Sequence, residues 1–203
     1  MDFAAAYTHK GRAHRVSAQA LARSGALRSL PANIAAMSAR WKPSVTVAAI
    51  IERIAGGERQ FLLVEEHTPE GLKLNNPAGH LDAQESPEQG VVREVLEETG
   101  CVFTPDRLVG VYLSRFQRPA TGEDVTFLRF AFGGSVGEPD TSRALDDGIV
   151  RTLWMTLPEL RESRAQHRSP HVLGCIEDFI AGRRYPLHAI STDGSVYVPE
   201  IKR

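Results

Sequence analysis

The chain has 203 residues, 42% of them apolar and 24% charged, with a formal net charge of −1. That length fits one full domain, or one domain and a tail, and near-neutrality excludes a general attraction to nucleic acid or to an anionic membrane. Two cysteines, Cys101 and Cys175, make neither a disulfide framework nor a zinc site and fit a reducing cytoplasm, and the longest apolar run, near Val45 to Ile51, is far too short to span a bilayer.

Charge is uneven along the chain. Residues 1–40 carry Lys10, Arg12, Arg15, Arg23, Arg28 and Arg40 against Asp2 alone. The segment is rich in Ala and Ser and has no long apolar core. It reads as a basic, loosely structured extension. A transit peptide or an RNA-binding arm are the other readings of such a composition. Met37 opens MSARWKPSVTVAAI, a natural start for the domain, and residues 1–36 receive no function.

From Trp41 onward the pattern is mixed α and β. Val45 to Glu52 is an almost continuous apolar run, which predicts a central strand. Gly56 and Gly57 turn the chain, and Gln60 to Glu65 returns as the second strand of a hairpin. Leu72 to Leu74 is a short extended piece leading to Pro77.

The stretch GHLDAQESPEQGVVREVLEETGC, from Gly79 to Cys101, holds most of the chemistry. Ser86 suits an N-cap, Pro87 the first helical position, and Gln89 completes a capping box. Glu88 favours the positive end of the helix dipole, and Gly100 stands where a left-handed residue ends a helix. The spacing predicts a helix over Pro87 to Thr99. On it Glu94, Glu97 and Glu98 share one face, while Val91, Val92, Val95 and Leu96 supply the buried side. Arg93 offers a planar fork for carboxylates, with Glu85 as its partner. An Arg/Glu-rich helix alone reads as a solvated face. Here Glu85 and two glycines fall at fixed distances as well, a coincidence at roughly one start in 10⁸ on average composition. Carboxylates this close need a cation, and an all-oxygen donor set suits Mg²⁺ or Mn²⁺. Such an ion in a small protein serves phosphate cleavage.

Beyond the box, Leu108 to Phe116 and Val125 to Phe132 read as strands joined by the turn-rich QRPATGED. Arg151 to Met155 is a further strand. Leu157 to Arg161 and Pro170 to Gly182 are predicted helices. Asn75 and His80 in the NNPAGHL segment, and Arg115 and Arg129 on the later strands, are candidate substrate-binding residues. For each the plain alternative is a cap, a solvated ring or a solvent-facing arginine. Trp41 and Phe130 can stack on a base, with aromatic core as the default.

At these residues the chain resembles the Nudix hydrolases. The stretch from Gly79 matches the Nudix box, GX₅EX₇REUXEEXGU with U apolar, at every fixed position. PSVTVAAII at 43–51, FLLVEE at 61–66, NNPAGHLD at 75–82, FLRFAF at 127–132 and RSPHVLGCIEDFIAGRRYPL at 168–187 are similar to the NudJ-type phosphatase subgroup. The resemblance covers Trp41 to Ile190, leaving a C-terminal tail over 191–203. It implies the family's α/β/α sandwich, an α/β fold with a mixed sheet and a loop-helix catalytic motif. It also implies metal ligation by Glu94, Glu97, Glu98 and the Gly79 backbone carbonyl, with Glu94, Glu98, Arg93 and Glu85 as the catalytic set. The general base is Glu94 or a carboxylate outside the box. Asp146 or Asp147 can supply that base or an extra ligand, against the plainer reading of an acidic loop.

The subgroup implies nucleoside tri- and diphosphates and thiamine-pathway pyrophosphates as substrates, with release of orthophosphate. No SQPWPFPxS array is present, Pro119 lies somewhat late for an ADP-ribose marker, and Tyr112 lies too early for a dinucleoside-polyphosphate marker. The rivals are a pyrophosphohydrolase on ADP-ribose, dinucleoside polyphosphates or capped RNA, and a non-catalytic ligand sensor. A sensor is expected to lose box carboxylates, which this chain keeps. The expected partner is a small phosphorylated substrate, with no membrane and no nucleic acid, for a cytoplasmic monomer or homodimer.

Overall fold

The computed structural model describes residues 41–118 and 121–199; the expected basic extension over 1–40 lies outside them. Seven strands form one sheet: β1 (Ser44–Ala55), β2 (Glu58–Thr68), β3 (Gly71–Asn75), β4 (Ala78–His80), β5 (Phe103–Gln117), β6 (Asp124–Val136) and β7 (Ile149–Thr156). Their order is β3-β2-β1-β6-β5, with β4 pairing β1 and β7 pairing β2. The β1–β6 ladder is parallel and the others are antiparallel, so the sheet is mixed. Among the described residues the helices are α1 (Pro87–Thr99), α2 (Leu157–Glu162) and α3 (His171–Ile180), with short 3₁₀ turns after α2 and near the C-terminus.

The two core clusters explain why β1 reads as a continuous apolar run. Val47, Ala49 and Ile51 pack with Val91 and Val95 of α1. Ile50, between them in sequence, packs instead with Val172, Leu173, Cys175 and Ile176 of α3 and Leu160 of α2. Successive strand residues face opposite ways, so a strand between two helical layers must be apolar on both sides. The result is the expected α/β/α sandwich.

β5 and β6 run further than the sequence pattern suggests. Their ladder continues to Phe103↔Val136, past Pro105 and past Gly133 and Gly134, through register shifts between Pro105/Arg107 and Leu108/Gly110. Gly134 marks a close approach: a β-carbon there would lie 2.2 Å from the Thr104 carbonyl oxygen. Bulges accommodate residues that otherwise end strands. Leu187 and Ile190 pack on the cluster under α1, so the fold reaches at least to Ile190.

Candidate active site

Local chemistry sets the ends of α1. The Ser86 side chain accepts from the Gln89 N–H, and the Gln89 side chain accepts from the Ser86 N–H at 2.9 Å. Gly100 closes the helix at φ 71°, its N–H on the Leu96 carbonyl. Val91 and Val95 are fully buried and fix the helix's rotation, each worth about 1.5–3 kcal/mol of transfer from water. That rotation carries Glu94 and Glu98, one turn apart, into buried positions beside β4.

Arg93 organises the acids around it. Its Nε and Nη2 bond both oxygens of Glu85, at 3.0 and 2.7 Å. Nη1 reaches Glu94 at 2.8 Å and Glu97 at 2.9 Å, and Nη2 also donates to the His80 carbonyl at 2.9 Å. Burial pushes the Glu85 carboxyl up, but the Arg93 hydrogen bonds and charge and the Asp82 N–H outweigh it and hold it below the usual range. The same contacts raise the Arg93 pKa further above its ordinary value.

Two glycines make room for these contacts. A β-carbon on Gly79 would lie 2.1 Å from Glu94 Oε1, and one on Gly90 would lie 2.8 Å from Glu85 Oε1. Gly90, inside the helix, was not marked by sequence reasoning; a glycine tolerated there at about 1 kcal/mol of helix propensity was the available signal.

The register of β4 on β1 corrects one expectation. Val47 pairs with Gly79, between the bonded pairs Ala49–Pro77 and Val45–Leu81. Alternation in an antiparallel ladder turns the Gly79 N–H and carbonyl inward to β1, and those of Ala78 and His80 outward to the free edge. The Ala78 N–H accordingly donates to Glu98 Oε2 at 2.8 Å, and the His80 carbonyl accepts from Arg93. The backbone oxygen facing the Glu98 side is therefore that of Ala78, while Gly79 contributes its missing side chain.

Charge accumulates at this edge. Burial pushes Glu98 up to about 8, and the charges of Glu94, Glu66 and Asp146 add to that, against the Ala78 N–H. Glu94 is also raised, by burial first and then by Glu97 and Asp146, against the pull of Arg93. Asp146 is held close by its N–H to the Glu97 carbonyl, 3.0 Å, and is felt at both glutamates. Its neighbour Asp147 is exposed like Asp146 and is not among the largest influences on either glutamate. Glu66 was missed in the sequence; it lies on β2, with Asn75 Nδ2 donating to it at 3.1 Å and Arg168 paired to its other oxygen.

Among the described residues no three acidic, His or Cys side chains already converge as a metal cage. The donor set nevertheless fits a hard divalent cation. It is all oxygen, two of its carboxylates are buried against mutual repulsion, and Gly79 leaves a space that Glu94 fills. Glu94, Glu98 and Glu97 are the residues placed to hold such an ion, with the Ala78 carbonyl beside them.

The remaining candidates fall apart by location. His80 is exposed, with its ring 6.4 Å from that of Phe127. Asn75 is buried and orients Glu66. Arg115 is exposed and paired with Asp124 on the neighbouring strand. Arg129 is different: part of its side chain is accessible, but Nη1 is shut from solvent and has no partner among the described residues. Trp41 is exposed, and Phe130 packs on the core.

Comparison with known proteins gives concordant likenesses. The family described as NUDIX domain matches residues 42–173. Phosphatase NudJ of Escherichia coli is 32% identical over 150 residues, covering 74% of this chain and 92% of that protein. A NUDIX hydrolase from Nitrosomonas europaea superposes with a TM-score of 0.66 at 48% identity, covering 75% of this chain and 98% of the other. The NUDIX domain of Shewanella oneidensis NrtR, crystallised with ADP ribose, has a TM-score of 0.57 at 15% identity, covering 75% and 99%, a likeness of fold.

Proposed function

The chain belongs to the Nudix hydrolase family, and on that footing we propose that it uses Mg²⁺ or Mn²⁺ to hydrolyse nucleoside tri- and diphosphates and thiamine-type pyrophosphates, releasing orthophosphate. The observation that carries this reading is the buried, all-oxygen cluster of Glu94 and Glu98 beside the Ala78–His80 edge. The phosphatase name of the Escherichia coli relative, 92% of which is covered, supports orthophosphate release over other products.

The metal, when bound, supplies a Lewis acid for the attacked phosphoryl group and lowers the pKa of a water. Glu98, Glu97 and Glu94 would hold it, with the Ala78 carbonyl. Arg93 fixes the aim of Glu94 and Glu97, and Glu85 fixes Arg93. Glu94 or Asp146 accepts the proton of the attacking water. Asp147 has no contact that favours it for this part. The two free thiols support the cytoplasm as the working compartment. A small phosphorylated substrate is the partner, and the protein works as a monomer or homodimer.

The test is a product assay on GTP, GDP, thiamine pyrophosphate, ADP-ribose and a diadenosine polyphosphate with Mg²⁺ or Mn²⁺. Orthophosphate from the nucleotides or thiamine pyrophosphate is expected, with turnover lost in Glu98→Gln by at least about a hundredfold, the scale of several kcal/mol of metal stabilisation. AMP or pyrophosphate instead would move the substrate class to the pyrophosphohydrolases. No turnover with either metal would favour a sensor.

A further inference from the structure

Four residues stand side by side across the sheet. Register pairs His80 with Thr46, Thr46 with Arg129, and Arg129 with Tyr112. Directly paired residues project to the same side of a sheet. Ala131, two residues beyond Arg129, packs with Val172, Leu173, Cys175 and Ile176, which identifies that side as the one α3 covers. His171, the first residue of α3, lies against Tyr112 with ring centroids 5.3 Å apart.

This row is unfinished in its hydrogen bonding. Arg129 Nη1 and Thr46 Oγ1, whose residues pair directly, are both buried without a partner among the described residues. The acids that could answer Arg129 are engaged elsewhere. Glu66 takes Arg168 and Asn75, Glu98 takes the Ala78 N–H, and Asp178 takes the Tyr112 hydroxyl at 3.0 Å. Burial pushes the Arg129 pKa down; Cys175, Glu66 and Glu98 oppose that push, and Arg168 reinforces it. A partly buried guanidinium stays charged and wants an anion with oxygens to fill its fork.

Position says which anion. Arg129 stands two strand spacings, roughly 10 Å, from the β4 edge where Glu98 and Arg93 meet the backbone. The Glu98 charge reaches Arg129 and opposes the push of burial on it. When Glu98 is committed to a cation, Arg129 loses even that compensation.

We propose that Arg129, with Thr46 beside it, binds the leaving phosphate of the substrate, the one that keeps the organic group, while the attacked phosphoryl group lies at the box carboxylates. This rests on the hydrolytic reading above and adds a second anchor to it. Water oxygen forms a bond to the terminal phosphorus, and the bond from that phosphorus to the bridging oxygen breaks. The electron pair stays on the bridging oxygen, and the proton of the water passes to a carboxylate. Negative charge therefore grows on the leaving phosphate, where a fixed guanidinium stabilises it more in the transition state than in the ground state. The organic group then extends toward Tyr112 and His171. The site selects substrates with two adjacent phosphates and discriminates against single phosphate esters.

The test uses the full chain and methylenediphosphonate, whose P–C–P bridge resists hydrolysis, with binding measured by calorimetry with and without Mg²⁺. Arg129→Met is expected to weaken binding at least tenfold and Arg129→Lys less. Thermal unfolding of the ligand-free Arg129→Met protein should be unchanged or higher, because a partly buried charge with an unpartnered Nη1 has gone. On hydrolysed substrates kcat should fall more than KM rises. Wild-type affinity in Arg129→Met, a lowered unfolding temperature in both variants, or no binding of the probe by wild type in either condition would overturn the proposal. Normal orthophosphate release by Arg129→Met would sink this inference and leave the hydrolytic reading intact. Loss of probe binding in Arg129→Met, in a chain that hydrolyses nothing on the panel, would retain the anion site and discard the hydrolytic reading.

Discussion

The Glu94 carboxylate stands where a side chain on Gly79 would begin: a β-carbon there would lie 2.1 to 2.2 Å from Oε1, Cδ and Oε2. The obstructing atoms are the far end of a rotatable side chain. A methyl group at Gly79 would therefore be admitted by swinging the carboxylate aside, and the loss would fall on the site more than on the fold.

Gly79→Ala is accordingly expected to keep its unfolding free energy within about 1 kcal/mol of wild type. Its kcat/KM should fall by about a hundredfold, the scale of an ångström-sized misplacement of a catalytic group. Urea unfolding and steady-state kinetics on the same preparation check both. Unchanged turnover would mean that the approach of Glu94 to β4 has no part in catalysis.

Arg93 makes a stability prediction as well as a functional one. Its fork serves Glu85 with two bonds, and Glu94, Glu97 and the His80 carbonyl with one each. Lysine keeps the charge and loses the planar geometry. Arg93→Lys should lose about 1–3 kcal/mol of stability, since bonds to charged groups are lost at a part-buried site. Divalent-metal affinity should drop roughly 10- to 100-fold, the usual effect of removing a group that orients ligands. A double-mutant cycle with Glu85→Gln should give a coupling of about 0.5–3 kcal/mol; additivity would show that the pair does not act as a unit.

How far the sequence could be read depended on the range of the interaction. The ends of α1 follow from Ser86, Pro87, Gln89 and Gly100, all within a turn of where they act, and they stand where the pattern put them. The extra length of β5 and β6 was hidden by Pro105, Gly133 and Gly134, residues that end strands unless a bulge and a close backbone approach accommodate them. Arg168 and Glu66 are 102 residues apart, and no local pattern pairs them. The exchange of Gly79 for Ala78 as the outward carbonyl needs the register of β4 on β1, which the sequence does not fix. A shift of one residue would have reversed it.

Asp146 and Asp147 were indistinguishable as sequence and are separated by the fold. Asp146 is among the groups that most raise the pKa of Glu94 and Glu98, and Asp147 is not. Asp146→Asn should weaken Mg²⁺ or Mn²⁺ binding by roughly two- to fivefold, the scale of one exposed charge. If Asp146 is also the base, kcat should fall by a further factor of about 10² or more. Asp147→Asn should leave both values within error. Equal effects of the two substitutions would show an unspecific acidic loop.

His171 carries the prediction about pH. Burial pushes its pKa below the ordinary 6.5, the Arg129 charge adds to that, and the Leu113 backbone opposes it. His167 is lowered too, by burial and Arg164 against the Leu160 backbone. In the window just below 6.5 the unfolded chain takes up protons that the folded chain refuses. The histidine contribution to stability therefore rises with pH across that window: it is present above 6.5 and is lost as pH falls toward the folded values. Urea midpoints do not isolate this contribution, because the raised Glu98 and Glu94 carboxyls bind protons in the folded state and stabilise it as pH falls, Glu98 through about 8. The histidine contribution is read from the imidazoles themselves. An imidazole titration followed by NMR should place His171 below 6.5 in the wild type and move it upward in Arg129→Met, since one of the two depressing causes is removed while burial stays. A His171 that titrates at or above 6.5 in the folded protein would show that it is neither buried nor close to an unpaired Arg129, and would weaken the case for an anion site between them.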